Sequence, residues 1–214
     1  MKRLWLTIMI MVAMFTFVST VNANTISLLD PGSRYSNGGP FNAVLSATDP
    51  NLLGTTFTTF CLEKNEYFYQ WDHNYSYTIN SYATQGGLGG QTSLNQDPLD
   101  PRSAYLYYEF RTDPTFADTP LKVEALQVAF WLIEDEMTLT GTPASGSVEA
   151  QALLYVNAAT GKWSGIGPVV VLNLYDTEHG QLQSQLGLTA VPEPASILLL
   201  GLGLLGIGLI RRKQ

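Results

Sequence analysis

Two apolar segments, one at each end of the chain, limit the part that can fold as a soluble domain. The first covers residues 4–18 behind Lys2 and Arg3, and small residues follow it at 21–23. This order is typical of a secretory signal peptide, so we expect residues 1–23 to form a signal helix that signal peptidase removes. The alternative is an uncleaved membrane anchor, which requires roughly 20 apolar residues.

The second segment is an apolar stretch over 197–210 that lies between a proline motif and a basic end. Its defining residues are Pro192, Glu193, Pro194, Arg211 and Arg212. Terminal cations suit a transmembrane helix whose end stays in the cytoplasm while the preceding domain lies outside. We therefore expect residues 191–214 to contain a transmembrane helix and to contact the membrane.

The tail resembles the PEP-CTERM sorting signal of Gram-negative bacteria in its motif, helix, basic cluster and terminal position. This resemblance implies an exosortase, a membrane transpeptidase-like enzyme, as the processing partner. It also implies export across the inner membrane to the cell surface or the extracellular matrix, with transient or permanent anchoring through the C-terminus. The host is expected to make exopolysaccharide.

Residues 24–190 remain as the secreted domain. They number 167 and carry six cations and 17 acids, a net charge of −11 with histidine neutral. Such an acidic domain lacks the basic footprint that nucleic-acid binding requires, so nucleic acid is excluded as a partner. A chain of this length can form a single hydrophobic core without disulfides.

Short strand patterns and three helix signals alternate with turn residues along this domain. Asp100-Pro101, Thr119-Pro120 and Ser147 are helix-start signals. Strand-like segments are 25–29, 41–47, 55–63, 168–175 and 183–189. The order predicts an α+β fold, a mainly antiparallel β sheet or sandwich with about three segregated helices.

Aromatic and polar residues alternate over 67–79 around Asp72-His73-Asn74, a pattern that predicts a β-hairpin. Exposed rings there, Trp71 included, would stack on sugars of an exopolysaccharide. This reversible binding, with no covalent chemistry, is the alternative to covalent attachment of the protein to an extracellular target. The glycine-rich stretch 84–100 lacks a phosphate-loop ending and is expected to be a mobile surface loop.

The acidic run 134–136 is expected to form a solvated helix end, with a calcium site as the alternative. No zinc spacing, nucleotide fingerprint or serine-nucleophile motif is present in the sequence. We therefore expect no metal, no cofactor and no enzymatic activity.

Cys61 is the only cysteine of a chain exported to an oxidising compartment. Residue type alone allows three interpretations of this cysteine. It is a buried apolar thiol, half of an intermolecular disulfide, or a catalytic nucleophile paired with His73 or His179.

A fourth interpretation of Cys61 comes from two local segments, FCLE around Cys61 and LQVAFW around Gln127. Over residues 55–160 they resemble the thioester domains of bacterial surface adhesins. The resemblance implies an internal thioester between Cys61 and Gln127.

Trp131 lies one helical turn after Gln127 and is expected to shield the bond. Phe60, with Phe57 and Tyr69, is expected to close the other side, and ordinary core packing is the alternative role of these rings.

In such a site a cysteine thiolate attacks the glutamine carboxamide, ammonia leaves, and an electrophilic thioester remains. An amine or hydroxyl on an extracellular target then displaces the cysteine and becomes attached through Gln127. Glu63 is expected to be a solvated strand residue, with proton transfer as the alternative role.

Overall fold

The computed structural model describes most of the secreted domain. The residues described are 24–32, 34–36, 38–69, 73–85 and 87–190. The predicted signal peptide, sorting signal and transmembrane helix all lie outside these ranges. Within them, no helix combines the length and the apolar character that crossing a bilayer requires.

The described residues form short strands before and after three consecutive helices. The strands are β1 (Thr25–Leu29), β2 (Phe41–Leu45), β3 (Thr56–Thr59), β4 (Tyr75–Asn80), β5 (Tyr82–Ala83), β6 (Asp97–Pro98), β7 (Val169–Asp176), β8 (Gly180–Gln181) and β9 (Gln185–Leu188). The helices are α1 (Pro101–Thr112), α2 (Pro120–Ile133) and α3 (Val148–Ala159). The predicted α+β class with segregated helices is confirmed for this part of the chain.

All three helices begin at the residues that the sequence signals indicate. Asp100, Thr119 and Ser147 each accept a hydrogen bond from a backbone N–H of the first turn. These side chains satisfy donors that a helix start otherwise leaves without partners. Proline follows the cap in α1 and α2, where its missing N–H costs nothing.

The main sheet is antiparallel, in the order β3-β2-β1-β4-β7-β8, and β9 also pairs with β7. It curls because the chain just after β3 returns to β9. The Leu186 N–H donates to the Phe60 carbonyl, and the Leu62 N–H donates to the Ser184 carbonyl. Between these bonds, Cys61 lies directly opposite Gln185. The sheet therefore closes at a seam that contains the single cysteine.

Two apolar clusters form the core. One joins the helices to Phe60, Leu62 and residues of β7 and β9. The other consists mainly of strand side chains, together with Cys61 and, from α2, Trp131. Side chains alternate sides along an extended segment, so Phe60 and Leu62 enter one cluster while Cys61 enters the other.

The predicted hairpin over 67–79 is wrong. Residues 67–69 are not in a strand, and β4 pairs instead with β1 and β7. Tyr75 is fully buried in the strand cluster. Alternation correctly indicates an extended segment, but it cannot identify the pairing partner, and here burial against distant strands decides the partner.

Candidate functional site

Gln127 is a fully buried amide in the middle of α2, whose neighbouring core residues are apolar. A carboxamide transferred from water to a protein interior costs several kcal/mol unless its polar atoms find hydrogen-bond partners. The surrounding residues must therefore supply both donors and an acceptor for this side chain.

The partners of the Gln127 amide come from two separate loops. Its Oε1 accepts from the Gly39 N–H at 2.7 Å and from the Cys61 N–H at 3.2 Å. Its Nε2 donates to the Cys61 carbonyl at 2.9 Å. Since two N–H groups point to one amide atom and a carbonyl to the other, the orientation of the amide is set by its partners.

The Cys61 thiol lies against the same amide. Its Sγ is 3.3 Å from Gln127 Oε1, and both residues are fully buried. The structure thus brings the two predicted partners together across 66 residues of chain. Burial raises the pKa of the Cys61 thiol well above its usual value, and the negative charge of Glu63 raises it further, while the Gly39 N–H opposes the shift.

Two glycines cover this pair. A Cβ on Gly38 would lie 2.7 Å from Gln127 Cγ and from the Trp131 ring, and a Cβ on Gly39 would lie 3.0 Å from Gln127 Oε1. No larger residue fits without displacing the amide or the indole. Sequence reasoning missed both glycines, although the Gly-Gly-Pro turn ahead of β2 was a signal for a close backbone approach.

Two of the predicted shielding residues point in different directions. Trp131 is buried one helical turn after Gln127 and shares the strand cluster with Cys61. Phe60 instead packs edge-on against Phe110 and Phe130, each at 5.2 Å between ring centroids. The cover of the Cys61–Gln127 pair therefore comes from Trp131 and the glycine turn rather than from Phe60.

Neither histidine takes part in the hydrogen bonding of the thiol within the described residues. His179 pairs with Asp176 at 3.0 Å, and the His73 ring lies 4.9 Å from the Tyr75 ring. The side-chain hydrogen bond of Cys61 goes to Gln127. The thiol is also free and buried, so a disulfide to a second molecule would require the site to open.

The expectation that Glu63 is solvated is wrong. Its side chain is fully buried, and its Oε2 accepts the Ser184 N–H at 2.8 Å. Burial raises the pKa of Glu63 to about 8, and the negative charge of Glu66 contributes to the shift. The seam between Cys61 and β9 covers this carboxyl group. Local sequence does not predict the pairing across that seam.

The expectation of a solvated acidic helix end is wrong for two of its three residues. Glu134 and Glu136 are buried, while Asp135 is exposed. Glu136 accepts backbone N–H groups of Lys64, Leu88 and Gly89, and so connects the end of α2 to the chain after Cys61 and to the glycine-rich loop. These backbone donors, which come from other segments of the chain, compensate for burying the Glu136 side chain.

Two carboxyl groups of this region, those of Glu134 and Asp97, have pKa values raised toward neutral pH. Burial raises the pKa of Glu134 to about 8 and that of Asp97, which also faces Glu136 and Asp135, to about 7. A cavity of about 320 Å³ lies beside them. Among the described residues, no group of three or more His, Cys, Asp or Glu side chains is arranged to hold a metal ion.

Comparison with known proteins identifies one segment. Residues 190–213 match the PEP-CTERM protein-sorting motif. No curated protein and no solved structure matches the chain. The motif marks the chain as an exosortase substrate, and therefore as an exported protein that is sorted to the cell surface.

Replacing Gly38 by alanine should destabilise the domain, because the new Cβ collides with the Gln127 side chain and the indole. Overpacking of this kind costs about 1–3 kcal/mol, which urea denaturation followed by tryptophan fluorescence will measure. Gly165→Ala is the matched control, since a Cβ there meets nothing within 4 Å. Equal stability of the two variants would show that the glycine turn does not cover the site closely.

The thermal midpoint should fall as the pH rises from about 5.5 to about 8.5. Folding raises the pKa of Glu63 and Glu134 from 4.5 to about 8, so in this range the folded state holds protons that the unfolded state has lost. Stability is therefore complete below the unfolded pKa and is lost as the pH passes the folded pKa. Scanning calorimetry at several pH values will measure the slope.

Glu134→Gln should flatten this slope, because the amide does not titrate. A midpoint that stays constant or increases over the same pH range would contradict burial of these carboxyl groups.

Proposed function

We propose that this exosortase-sorted surface protein attaches itself covalently to an extracellular target through a thioester between Cys61 and Gln127. The observation that carries the proposal is the buried contact of 3.3 Å between Cys61 Sγ and Gln127 Oε1. A thiol and a carboxamide held in contact, with no solvent between them, have the proximity that an intramolecular acyl transfer needs.

The hydrogen bonds of the amide suit this reaction. The N–H groups of Gly39 and Cys61 both point to Gln127 Oε1. Negative charge develops on this oxygen when sulfur adds to the carbonyl carbon, and two oriented backbone donors stabilise such a charge. The same contacts that satisfy the resting amide therefore favour the tetrahedral intermediate that leads to ammonia release.

Burial supports survival of the product. A thioester hydrolyses when water reaches it, and a dry site slows that loss. Cys61 and Gln127 are both fully buried, and the Trp131 ring and Gly38 lie over the glutamine side chain. Attachment then requires a local opening of this cover by the target.

The attachment step uses up the thioester, so each chain reacts only once. An amine or hydroxyl of the target adds to the Gln127 carbonyl carbon, the carbon–sulfur bond breaks, and the proton that the nucleophile loses converts the Cys61 thiolate to a thiol. The net charge of −11 over residues 24–190 favours encounter with cationic surface amines. Because the acyl group stays on the target, we propose no catalytic turnover.

An apolar cavity lies near the glycine turn that covers the Cys61–Gln127 pair. It has a volume of about 310 Å³ and is lined in part by Pro40 and Val123. Pro40 directly follows Gly39, and Val123 lies one helical turn before Gln127. A nucleophile that enters here contacts Pro40, the residue that follows the glycine turn.

Methylamine should add once to the native protein, because it displaces Cys61 from the thioester and forms an amide at Gln127. Intact mass spectrometry will detect one adduct per chain, peptide fragmentation will locate it at Gln127, and thiol labelling will find one newly free cysteine. Cys61→Ala is the control; it should keep the mass of the plain sequence and add nothing. Native wild-type protein with the plain mass and no adduct would overturn the proposal.

A second candidate function rests on exposed rings. Tyr67 and Tyr69 are 51% and 61% exposed, and Tyr69 stacks on His179 with ring centroids 3.9 Å apart. Trp71, which is also among the rings expected to stack on sugars, lies outside the described residues. Aromatic faces of this kind suit reversible stacking on an exopolysaccharide.

Column retention on host exopolysaccharide separates the two functions. If the rings carry binding, retention should survive Cys61→Ala and should fall in Tyr69→Ala. Retention that survives denaturing washes and disappears in Cys61→Ala would instead indicate covalent attachment.

A further inference from the structure

Thioester formation at this site needs a proton acceptor for the thiol. Burial raises the pKa of Cys61 well above its usual value, so the resting sulfur is protonated and weakly nucleophilic. The leaving group needs a proton too, because an amide nitrogen departs as ammonia. The histidines bond elsewhere, which leaves the buried carboxyl groups as candidates.

We propose that the side chain of Glu63 is the proton-transfer group of the Cys61–Gln127 reaction, taking the thiol proton and returning it to the departing nitrogen. This inference rests on the proposed function and adds to it a specific residue for bond formation.

Glu63 lies close to Cys61 in the chain. The Oε2 of Glu63 accepts the N–H of Ser184, which adjoins Gln185, the residue directly opposite Cys61. Glu63 lies two residues after Cys61, so their Cα atoms are at most roughly 7 Å apart. Because Glu63 Oε1 makes no direct hydrogen bond to the thiol among the described residues, the proton passes between them through one water molecule or after a change of the Glu63 rotamer.

The Glu63 carboxyl group is buried, and only one of its oxygens is hydrogen-bonded among the described residues. Glu63 is fully buried, and one oxygen accepts the Ser184 N–H. The other, Oε1, has no hydrogen-bond partner among the described residues. Natural proteins rarely leave a buried polar atom in this condition, and proton exchange is one function that explains it.

The opposite strand is neutral and leaves a second acceptor unpaired. Gln185 lies directly across from Cys61, and its Oε1 also lacks a partner within the described residues. Gln183 and Ser184, from the same segment, bind the carbonyl and Oε2 of Glu63. No positive charge from β9 therefore holds Glu63 in its ionised form.

The charged groups near Glu63 lie on its own segment and at the end of α2. Glu66 raises its pKa by repulsion, and Glu136 in turn raises the pKa of Glu66. The Lys64 ammonium lies 5.8 Å from the centre of the Trp131 ring. A carboxyl group whose pKa is about 8 can both accept and donate a proton near neutral pH.

The proposed step balances without a further reactant. The Glu63 carboxylate removes the proton from Cys61 Sγ, and the thiolate adds to the Gln127 carbonyl carbon. The resulting oxyanion is held by the Gly39 and Cys61 N–H groups. The carbon–nitrogen bond then breaks, the Glu63 carboxylic acid supplies its proton to the nitrogen, and ammonia leaves a neutral thioester and a carboxylate.

The test compares wild-type protein with Glu63→Gln and Glu66→Gln. Each full chain is refolded from urea under reducing conditions at several values from about pH 6 to about pH 9. Intact mass then follows the loss of one ammonia with time, and tryptophan fluorescence follows folding separately. Glutamine matches the shape of glutamate and can still accept the Ser184 N–H, but it cannot take a proton.

In wild-type protein the rate should rise with pH to a plateau, with a midpoint near the folded pKa of about 8. In Glu63→Gln the rate should fall by at least about 100-fold, the usual contribution of a positioned general base. Glu66→Gln should still form the bond, with its midpoint moved to lower pH because a repelling charge is removed.

Bond formation in folded Glu63→Gln at the wild-type rate would overturn the inference. If that variant fails to fold, the wild-type profile decides, and a rate that is independent of pH between about 7 and 9 would overturn it equally. Failure of the proposed function is distinguishable, because wild-type protein would then lose no ammonia at any pH.

Discussion

The central constraint in this domain is the burial of one polar amide. Gln127 lies in the most buried helix, and its oxygen and nitrogen are satisfied by Cys61 and Gly39, two residues far from it in sequence. Those three hydrogen bonds determine where the glycine turn sits and where the chain passes after β3. Removing any of them would leave a buried donor or acceptor without a partner, at a cost of about 1–3 kcal/mol. The position of the thiol beside the amide follows from this arrangement.

Reactivity and protection make opposite demands on such a site. A thioester needs an activated sulfur while it forms and an absence of water afterwards. Complete burial of Cys61 meets the second demand and opposes the first, because it raises the pKa of the thiol. In the proposed reaction, the buried Glu63 carboxyl group, whose pKa is raised, reconciles the two demands. The same burial keeps a lone cysteine unpaired in a compartment where exposed thiols oxidise.

Local signals in the sequence predict much of the fold. The caps at Asp100, Thr119 and Ser147 define the helix starts, and alternation locates most of the long strands. The hairpin over 67–79 is wrong because pairing of β4 with β7 depends on residues almost a hundred positions away. The contacts of Gly38 and Gly39 with Gln127 also join residues that are distant in sequence. Glycine has no side chain, so it adds nothing to a periodic pattern that could predict such contacts.

For the site, the two residues with the most specific local context were predicted, and the structure places them in contact. The burial of Glu63 was not predicted, because a carboxylate near a strand end is usually solvated and only the seam with β9 covers it. Burial of Glu134 and Glu136 was missed for the same reason, since loop backbone donors that are distant in sequence compensate for it. Local sequence therefore predicts which residues can react more readily than it predicts which residues bury and hydrogen-bond them.

The most direct measurement is the distance between Cys61 Sγ and the Gln127 side-chain carbonyl carbon in a high-resolution crystal structure of the exported protein. The proposed function predicts continuous electron density at covalent bonding distance, with no density for the Gln127 amide nitrogen. A complete carboxamide at van der Waals distance from an intact thiol, in protein never exposed to amines, would contradict it.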